Sequence, residues 1–186
     1  MLPSLIYLID TTEALCSAWE DAFSNVACVI VRCGDFFEQE SDAMVSPANS
    51  FGIMDGGLDA AIQSTLLGDV QSVVQERILN RYHGELPVGC AEIVQTKDDR
   101  WPYLIAAPTM RIPESVSHTL NPYLAFRAAL LAISSHNEAI GVADIASVVV
   151  PGLGTGIGGV DPIRCAFQMR MAFNAVSAPA RNPSFA

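Results

Sequence analysis

Short, mostly apolar runs alternate along this chain with longer stretches in which apolar residues return every third or fourth position. Residues 5–9, 26–32, 43–46, 90–96, 103–107 and 147–150 are of the first kind. Their length and β-branched content predict strands, and 26–32 reads as a strand covered on both faces. Pro47 cuts the third run, and the polar turn 97–100 separates the fourth from the fifth.

The longer stretches predict helices. Asp10-Thr11-Thr12 supplies a cap region for a helix over 13–23. After Gly56-Gly57, the residues Leu58, Ala61, Ile62, Thr65 and Leu66 fall on one helical stripe. A further helix begins at Asp69, with Val70, Val73, Val74 and Ile78 on its inner face. Asn121-Pro122 offers an N-cap and an N1 proline for a helix reaching about Ser135, and Asp161-Pro162 does the same for a last helix ending near Val176. The order β-α-β-β-α-α-β-β-α-β-α predicts an α/β fold, a three-layer α/β/α sandwich around a mixed, largely parallel sheet. Without repeat or linker, residues 1–178 are expected to form one domain, and 179–186 a short polar tail.

Composition narrows the function more than the fold. The chain has 186 residues, 51% of them hydrophobic and 16% charged, which suits a globular protein with a full core. Its formal net charge of -10 repels phosphate backbones, so general nucleic-acid binding is not expected. A bound phosphate would rest mainly on backbone N–H groups and helix ends. Five cysteines without a C-x-x-C pair read as reduced, mostly buried thiols of a cytoplasmic protein. No cationic leader precedes the first apolar run, and no run approaches the ~20 residues of a membrane span, so no membrane association is expected. His83, His118 and His136 lack zinc spacing, and neither metal nor cofactor is expected.

The segment Pro151-Gly152-Leu153-Gly154-Thr155-Gly156-Ile157-Gly158-Gly159 stands out, with five glycines in nine residues between a strand and a helix. Glycine at this density costs unfolded-state entropy and fits a loop whose backbone approaches a ligand. The following helix N-terminus favours an anion, and ligands of open α/β sheets bind at the carboxyl ends of strands. Gly154, Gly156 and Gly159 match G-x-G-x-x-G, but the 27 residues that follow hold no further strand or ribose-binding acid, so a dinucleotide fingerprint fails. A phosphate loop of the Gly-Lys-Ser/Thr kind needs a lysine that is missing here. A tight turn without ligand is the plain alternative.

A second glycine loop follows another strand: Ser46-Pro47-Ala48-Asn49-Ser50-Phe51-Gly52-Ile53-Met54-Asp55-Gly56-Gly57-Leu58-Asp59. Asn49 carries donors and acceptors suited to sugar hydroxyls. Asp59 either faces a ligand or complements the helix dipole, and Asp55 either joins the site or caps the helix.

These segments resemble the macro domain family, whose signature runs roughly N-A-A-N, a glycine run, then V-D-G-A-I. Asn49 to Asp59 matches its spacing without a gap, Gly34-Asp35-Phe36 is similar to its Gly-Asp-Ile, and Thr155-Gly156-Ile157 to its second phosphate loop. The resemblance covers about residues 25–177 and implies an α/β/α fold that binds ADP-ribose, free or on a protein or small molecule. It further implies that Asp35 accepts from the adenine amino group with Phe36 beside the ring and Gly34 preceding them. Asn49 would hold the distal ribose. Gly56, Gly57 and Leu58, with Gly154, Thr155, Gly156, Ile157 and Gly158, would wrap the diphosphate. Asp59 matches the acid that helps activate water or a ribose hydroxyl in the hydrolytic MacroD-type branch, which removes ADP-ribose from acidic side chains and deacetylates O-acetyl-ADP-ribose.

The chain also departs from that pattern. Ser46 and Pro47 replace the start of the asparagine motif, Met54 and Asp55 replace two glycines, and Gly158 stands where many members have an aromatic. Asp55 adds a second carboxylate for chemistry, for a metal or for capping. Lys97, the one lysine, lies in a turn away from the place where deglycosylating relatives use one. Arg111 ends a strand on the presumed ligand side, and would meet either a phosphate or an acid. Ser46, Ser50 and the cysteines have no histidine context for nucleophilic chemistry. An enzyme acting on an ADP-ribose conjugate, with Asn49, Asp59 and Asp55 as its catalytic group, is therefore expected first. A non-catalytic ADP-ribose reader is the alternative, and a macro-like fold reassigned to another nucleotide or to RNA ends is more distant.

Overall fold

The computed structural model describes residues 1–182. Among them, the strands are β1 (Leu5–Asp10), β2 (Val29–Cys33), β3 (Ala43–Ser46), β4 (Glu92–Gln95), β5 (Tyr103–Ala106) and β6 (Ser147–Val150). The helices are α1 (Glu13–Phe23), α2 (Gly57–Thr65), α3 (Val70–Tyr82), α4 (Asn121–Ile140) and α5 (Pro162–Ser177). The order is the one predicted, with a short 3-10 turn added at Phe36–Glu38. All six strands form one sheet ordered β2-β1-β6-β3-β5-β4, parallel except for β4, which runs against β5.

Alternation along the central strands assigns the two faces of the sheet. Ile6, Leu8, Ala43, Val45, Ile105, Val148 and Val150 join a core with Trp19, Phe126 and Met169 of α1, α4 and α5. Ile9, Met44, Leu104, Ala106 and Val149 join the opposite core, with Ile62, Val74, Ile78 and Trp101. The layers are thus α1, α4 and α5, then the sheet, then α2 and α3. Both faces being covered explains why the central strands read as continuous apolar runs.

Polar anchors fix where β6 enters the sheet. The fully buried Asn137 of α4 donates through Nδ2 to the carbonyl of Ile145 at 3.0 Å and accepts from its N–H at 2.9 Å. Asp42, just before β3, accepts through Oδ2 from the N–H groups of Ala146 and Ser147 at 3.0 and 2.7 Å. These contacts seat β6 between β1 and β3.

Several expectations need correction. Residues 26–32 do not make a strand covered on both faces: β2 starts at Val29, lies at the sheet edge beside β1 alone, and is part-buried to exposed. Val26 is spent in a turn, its N–H on the carbonyl of Phe23. On α3 the buried stripe is Val70, Val74 and Ile78, while Val73 turns outward with 43% exposure. Asn121 does not cap α4. Leu120 holds the cap position, and Asn121 begins the helix with its side chain on the carbonyl of Thr109 at 2.7 Å. That helix runs past Ser135 to Ile140 and ends where Gly141 adopts φ 83°, a left-handed stop. Only Cys16 and Cys165 are buried; Cys28 and Cys90 are half-buried, Cys33 is exposed, and all five are free. No helix among the described residues is long and apolar enough to cross a membrane. The last four residues of the expected polar tail lie outside the described residues.

Leu104 of β5 is fully buried in the core under α2 and α3. Leu104→Ala is expected to cost about 2–5 kcal/mol, read as a lower urea midpoint with an unchanged denaturant slope.

Candidate functional site

The neighbouring strands β1, β6, β3 and β5 are parallel, so their carboxyl ends emerge side by side. A cleft of about 340 Å³ opens there. Its walls come from Asp10 at the end of β1 and Thr12 beyond it, residues 151–152 and 154–158 after β6, residues 47–49, 53 and 55–59 after β3, and Thr109, Met110 and Pro113 after β5. The two glycine loops meet because the strands that feed them are adjacent. This is the strand-end crevice where open α/β sheets place ligands.

In the loop after β6, Gly154 and Gly159 adopt φ 72° and 64°, values that glycine takes without strain. Gly158 is glycine for a different reason. A Cβ there would lie 2.5 Å from the carbonyl of Gly154, while its own carbonyl accepts from Val116 N–H at 2.8 Å. Glycine at 158 is thus a packing requirement of the loop. The N–H groups of residues 153–158 have no protein acceptor among the described residues. The N–H of Gly152 donates at 3.2 Å to Asp10 Oδ2, whose other oxygen accepts from Thr12 N–H at 2.9 Å. Asp10 is therefore the clamp that ties this loop to β1.

The expected helix end contributes differently from the sequence reading. The N-terminus of α5 carries its own anion, Asp161, which accepts from Arg164 N–H at 3.1 Å. It is the N-terminus of α2 that faces the cleft. Its cap residue is Gly56, with no side-chain cap bond, and Gly56, Gly57 and Leu58 all line the cavity. The first-turn N–H groups of a helix have no intrahelical acceptor, and here no side chain replaces one. Among the described residues no lysine, arginine or histidine lines the cleft. Its attraction for an anion is therefore one of amide dipoles.

Three carboxylates line the same space: Asp10, Asp55 and Asp59. Asp59, in the first turn of α2, accepts through Oδ1 from Ser46 Oγ at 2.6 Å. Burial pushes its carboxyl from 3.8 up to about 6, and the Ser46 hydroxyl opposes that rise. Asp55 is exposed on the rim and does not cap α2. The side chain of Asn49 mainly closes its own loop: Oδ1 accepts from the N–H groups of Phe51 and Ile53 at 3.0 and 3.2 Å, and Nδ2 donates to the carbonyl of Ile53 at 2.7 Å. One Nδ2 hydrogen is left for a ligand. Met54, in place of a glycine, is a core residue with 3% exposure, and its N–H donates to Gln71 Oε1.

Gly34, Asp35 and Phe36 do not line this cleft. They follow β2, the outer strand, two places from β6. Asp35 accepts from Phe37 N–H at 2.9 Å, and Phe36 is buried edge-on against Phe37. Arg111 is paired with Glu85 at 2.8 and 3.0 Å and lies over the Phe51 ring, so the acid partner and not the phosphate is the one it meets. His83 is the left-handed residue after α3, and His136 is bonded to Asp144 at 2.8 Å. Among the described residues no cluster of three or more ligating side chains could hold a metal.

Sequence reasoning passed over Asp10, Thr12, Thr109, Met110, Pro113 and the partnership of Ser46 with Asp59. Asp10 left a signal: it ends an apolar run, and such strand ends are where sites form. For Ser46 the sequence offered only a departure from the asparagine motif.

A model of the Macro domain family matches residues 45–169 of the chain, a span that holds both glycine loops. The chain belongs to the macro domain family. An uncharacterized protein of Aeropyrum pernix is 33% identical over 144 residues, covering 76% of this macro domain and 68% of that protein. One from Aquifex aeolicus is 32% identical over 127 residues, covering 68% and 69%. Among solved structures, the macrodomain of Mycobacterium tuberculosis DarG superposes with a TM-score of 0.60 at 22% identity, covering 77% of this chain and 88% of that one. The Oceanobacillus iheyensis macrodomain with ADP gives 0.59 at 21%, covering 75% and 71%. Thermosipho africanus DarTG in complex with ADP-ribose gives 0.55 at 19%, covering 87% and 50%. At these identities the structures show the fold of this macro domain.

The raised carboxyl of Asp59 makes stability depend on pH. Between pH 3.8 and about 6 the folded state of this macro domain holds a proton that the unfolded chain has released. Stability therefore falls as pH rises through this window, then levels off. A shift of this size is worth up to about 3 kcal/mol. Denaturation of wild type and Asp59→Asn from pH 4 to 8 is expected to show the wild type losing stability relative to the variant up to pH 6–7, and a flat difference above.

Proposed function

We propose that this macro domain binds ADP-ribose through the cleft at the carboxyl edge and hydrolyses an ADP-ribose conjugate, on a protein side chain or as O-acetyl-ADP-ribose. One observation carries the reading: residues after β6 and at the start of α2 whose N–H groups have no protein acceptor among the described residues line the same space as a half-buried acid, with no cationic side chain among the described lining residues. The row suits a diphosphate, and the acid suits the bond beyond it. Binding in related folds supports the ligand: the Oceanobacillus iheyensis structure holds ADP and the Thermosipho africanus structure ADP-ribose.

In this reading Gly154, Thr155, Gly156, Ile157 and Gly158 wrap one side of the diphosphate and Gly56, Gly57 and Leu58 the other. Asn49 gives its remaining N–H to the distal ribose. Asp59, ionised above a pKa near 6, takes a proton from the attacking water and returns it to the leaving oxygen. Asp55 stands where that leaving group exits. Gly34, Asp35 and Phe36 extend the site along the sheet edge toward the base. The partners are ADP-ribose and ADP-ribosylated molecules, not nucleic acid in general, given the net charge of -10. Residues 1–178 act as a single unit, and the free cysteines suit a reducing compartment such as the cytoplasm.

A binding-only reader is favoured by one feature, the engagement of Asn49 in its own turn. Calorimetry with ADP-ribose, followed by incubation with an ADP-ribosylated protein and with O-acetyl-ADP-ribose, separates the readings. Binding with turnover supports the enzyme, binding without it the reader, and no binding at millimolar ligand defeats both. Asp59→Ala is expected to lower turnover by at least about a hundredfold while ADP-ribose affinity changes little. Unchanged turnover would remove Asp59 from the chemistry. Gly156 has nothing within 4 Å of an added Cβ and opens on the cleft. Gly156→Glu should therefore fold normally and lose binding, because its carboxylate occupies the phosphate path; retained affinity would show the loop to be misassigned.

A further inference from the structure

Ser46 is the last residue of β3 and is 1% exposed. It shares the strand face of Met44, which packs in the core under α2 and α3. From there its hydroxyl reaches Asp59, thirteen residues later in α2, at 2.6 Å. The bond is directional in a useful way. The Ser46 hydroxyl occupies Oδ1, while Oδ2 has no protein partner among the described residues, in a side chain that lines the cleft. A half-buried carboxylate held at one oxygen by a side chain fixed in the sheet can neither rotate freely nor exchange its two oxygens.

We propose that Ser46 is the positioning residue of the site: it locks Asp59 so that a single oxygen, Oδ2, faces the ligand and is the one that gains and loses the proton. This rests on the proposed chemistry at Asp59 and specifies how that acid is held. With the hydroxyl donating to Oδ1, a proton arriving at the carboxyl must bind Oδ2, where it faces the leaving group. When the proton leaves, the same oxygen is the base. One bond thus serves both halves of the cycle without rearrangement. It also explains a departure from the family signature. Serine is short enough to sit inside the sheet and still reach the first turn of α2, and its hydroxyl supplies a donor where the acid needs one.

The hydroxyl also opposes the effect of burial on Asp59. Removing it should move the titration of Asp59 further upward. Thr and Val at 46 have the same shape and differ in the hydroxyl, so Ser46→Thr and Ser46→Val isolate the donor from packing, and Ser46→Ala adds a smaller probe. Two readouts apply: the carboxyl 13C titration of Asp59 in ligand-free protein, assigned with Asp59→Asn, and the pH profile of kcat/KM on the conjugate that wild type turns over. The expected result is an upward titration and an upward-shifted acid limb in Ser46→Ala and Ser46→Val. Turnover at pH 7 should be lower by roughly tenfold, with ADP-ribose affinity retained and Ser46→Thr restoring wild-type behaviour. An Asp59 titration unmoved in the hydroxyl-free variants that still bind ADP-ribose would overturn the proposal, as would equal behaviour of Thr and Val. If wild type turns over no conjugate, the hydrolase reading fails on its own. The 13C titration still decides whether Ser46 governs Asp59.

Discussion

The placement of β6 between β1 and β3 is the constraint on which the carboxyl edge depends. It brings the loop that follows β6 next to the loop that follows β3, although the two are about a hundred residues apart in sequence. Nothing in either loop specifies that meeting. It is set from the far end of the strand, where Asn137 and Asp42 hold Ile145, Ala146 and Ser147, and from the near end, where Asp10 holds Gly152. The site is a property of the sheet order first and of the loops second.

Within that frame the carboxylates have separate tasks. Asp10 satisfies two N–H groups and fixes a loop; Asp161 caps α5 and so removes that helix end from competition for the ligand. Asp59 is half-buried beside a single hydroxyl, and desolvation raises its titration. Asp55 is exposed on the rim of the cleft and holds no other group among the described residues. Their residue type is the same, and their surroundings assign the roles.

Much of the architecture was legible because both faces of the central strands are apolar and the helices alternate with them. The reading failed where one residue has two physical explanations. An apolar stretch such as 26–32 looks the same whether it lies at a covered centre or at an edge, and only pairing decides. Asn121 before Pro122 has the composition of a cap, yet its amide found Thr109 across the loop. For the site, both glycine loops and Asp59 could be read because glycine density and a first-turn acid are local signals. Ser46 and Thr109 could not, since their importance comes from neighbours on other strands, and Asp10 left only the hint that it ends an apolar run. Asn49 illustrates the opposite limit: its side chain suits a sugar chemically, but most of its hydrogen-bonding capacity is taken by its own turn.

The absence of any cationic side chain among the described residues that line the cleft has a further consequence. A phosphate gripped by lysine or arginine trades one ion partner for another, and added salt weakens it by competition. This cleft instead offers fixed dipoles at short range, whereas the molecule as a whole carries -10 and resists an approaching anion at long range. Ionic strength damps the second effect over distances of about 10 Å and scarcely touches the first. The local attraction of such a cleft for an anion is thus nearly independent of salt, while the repulsion that opposes it is not.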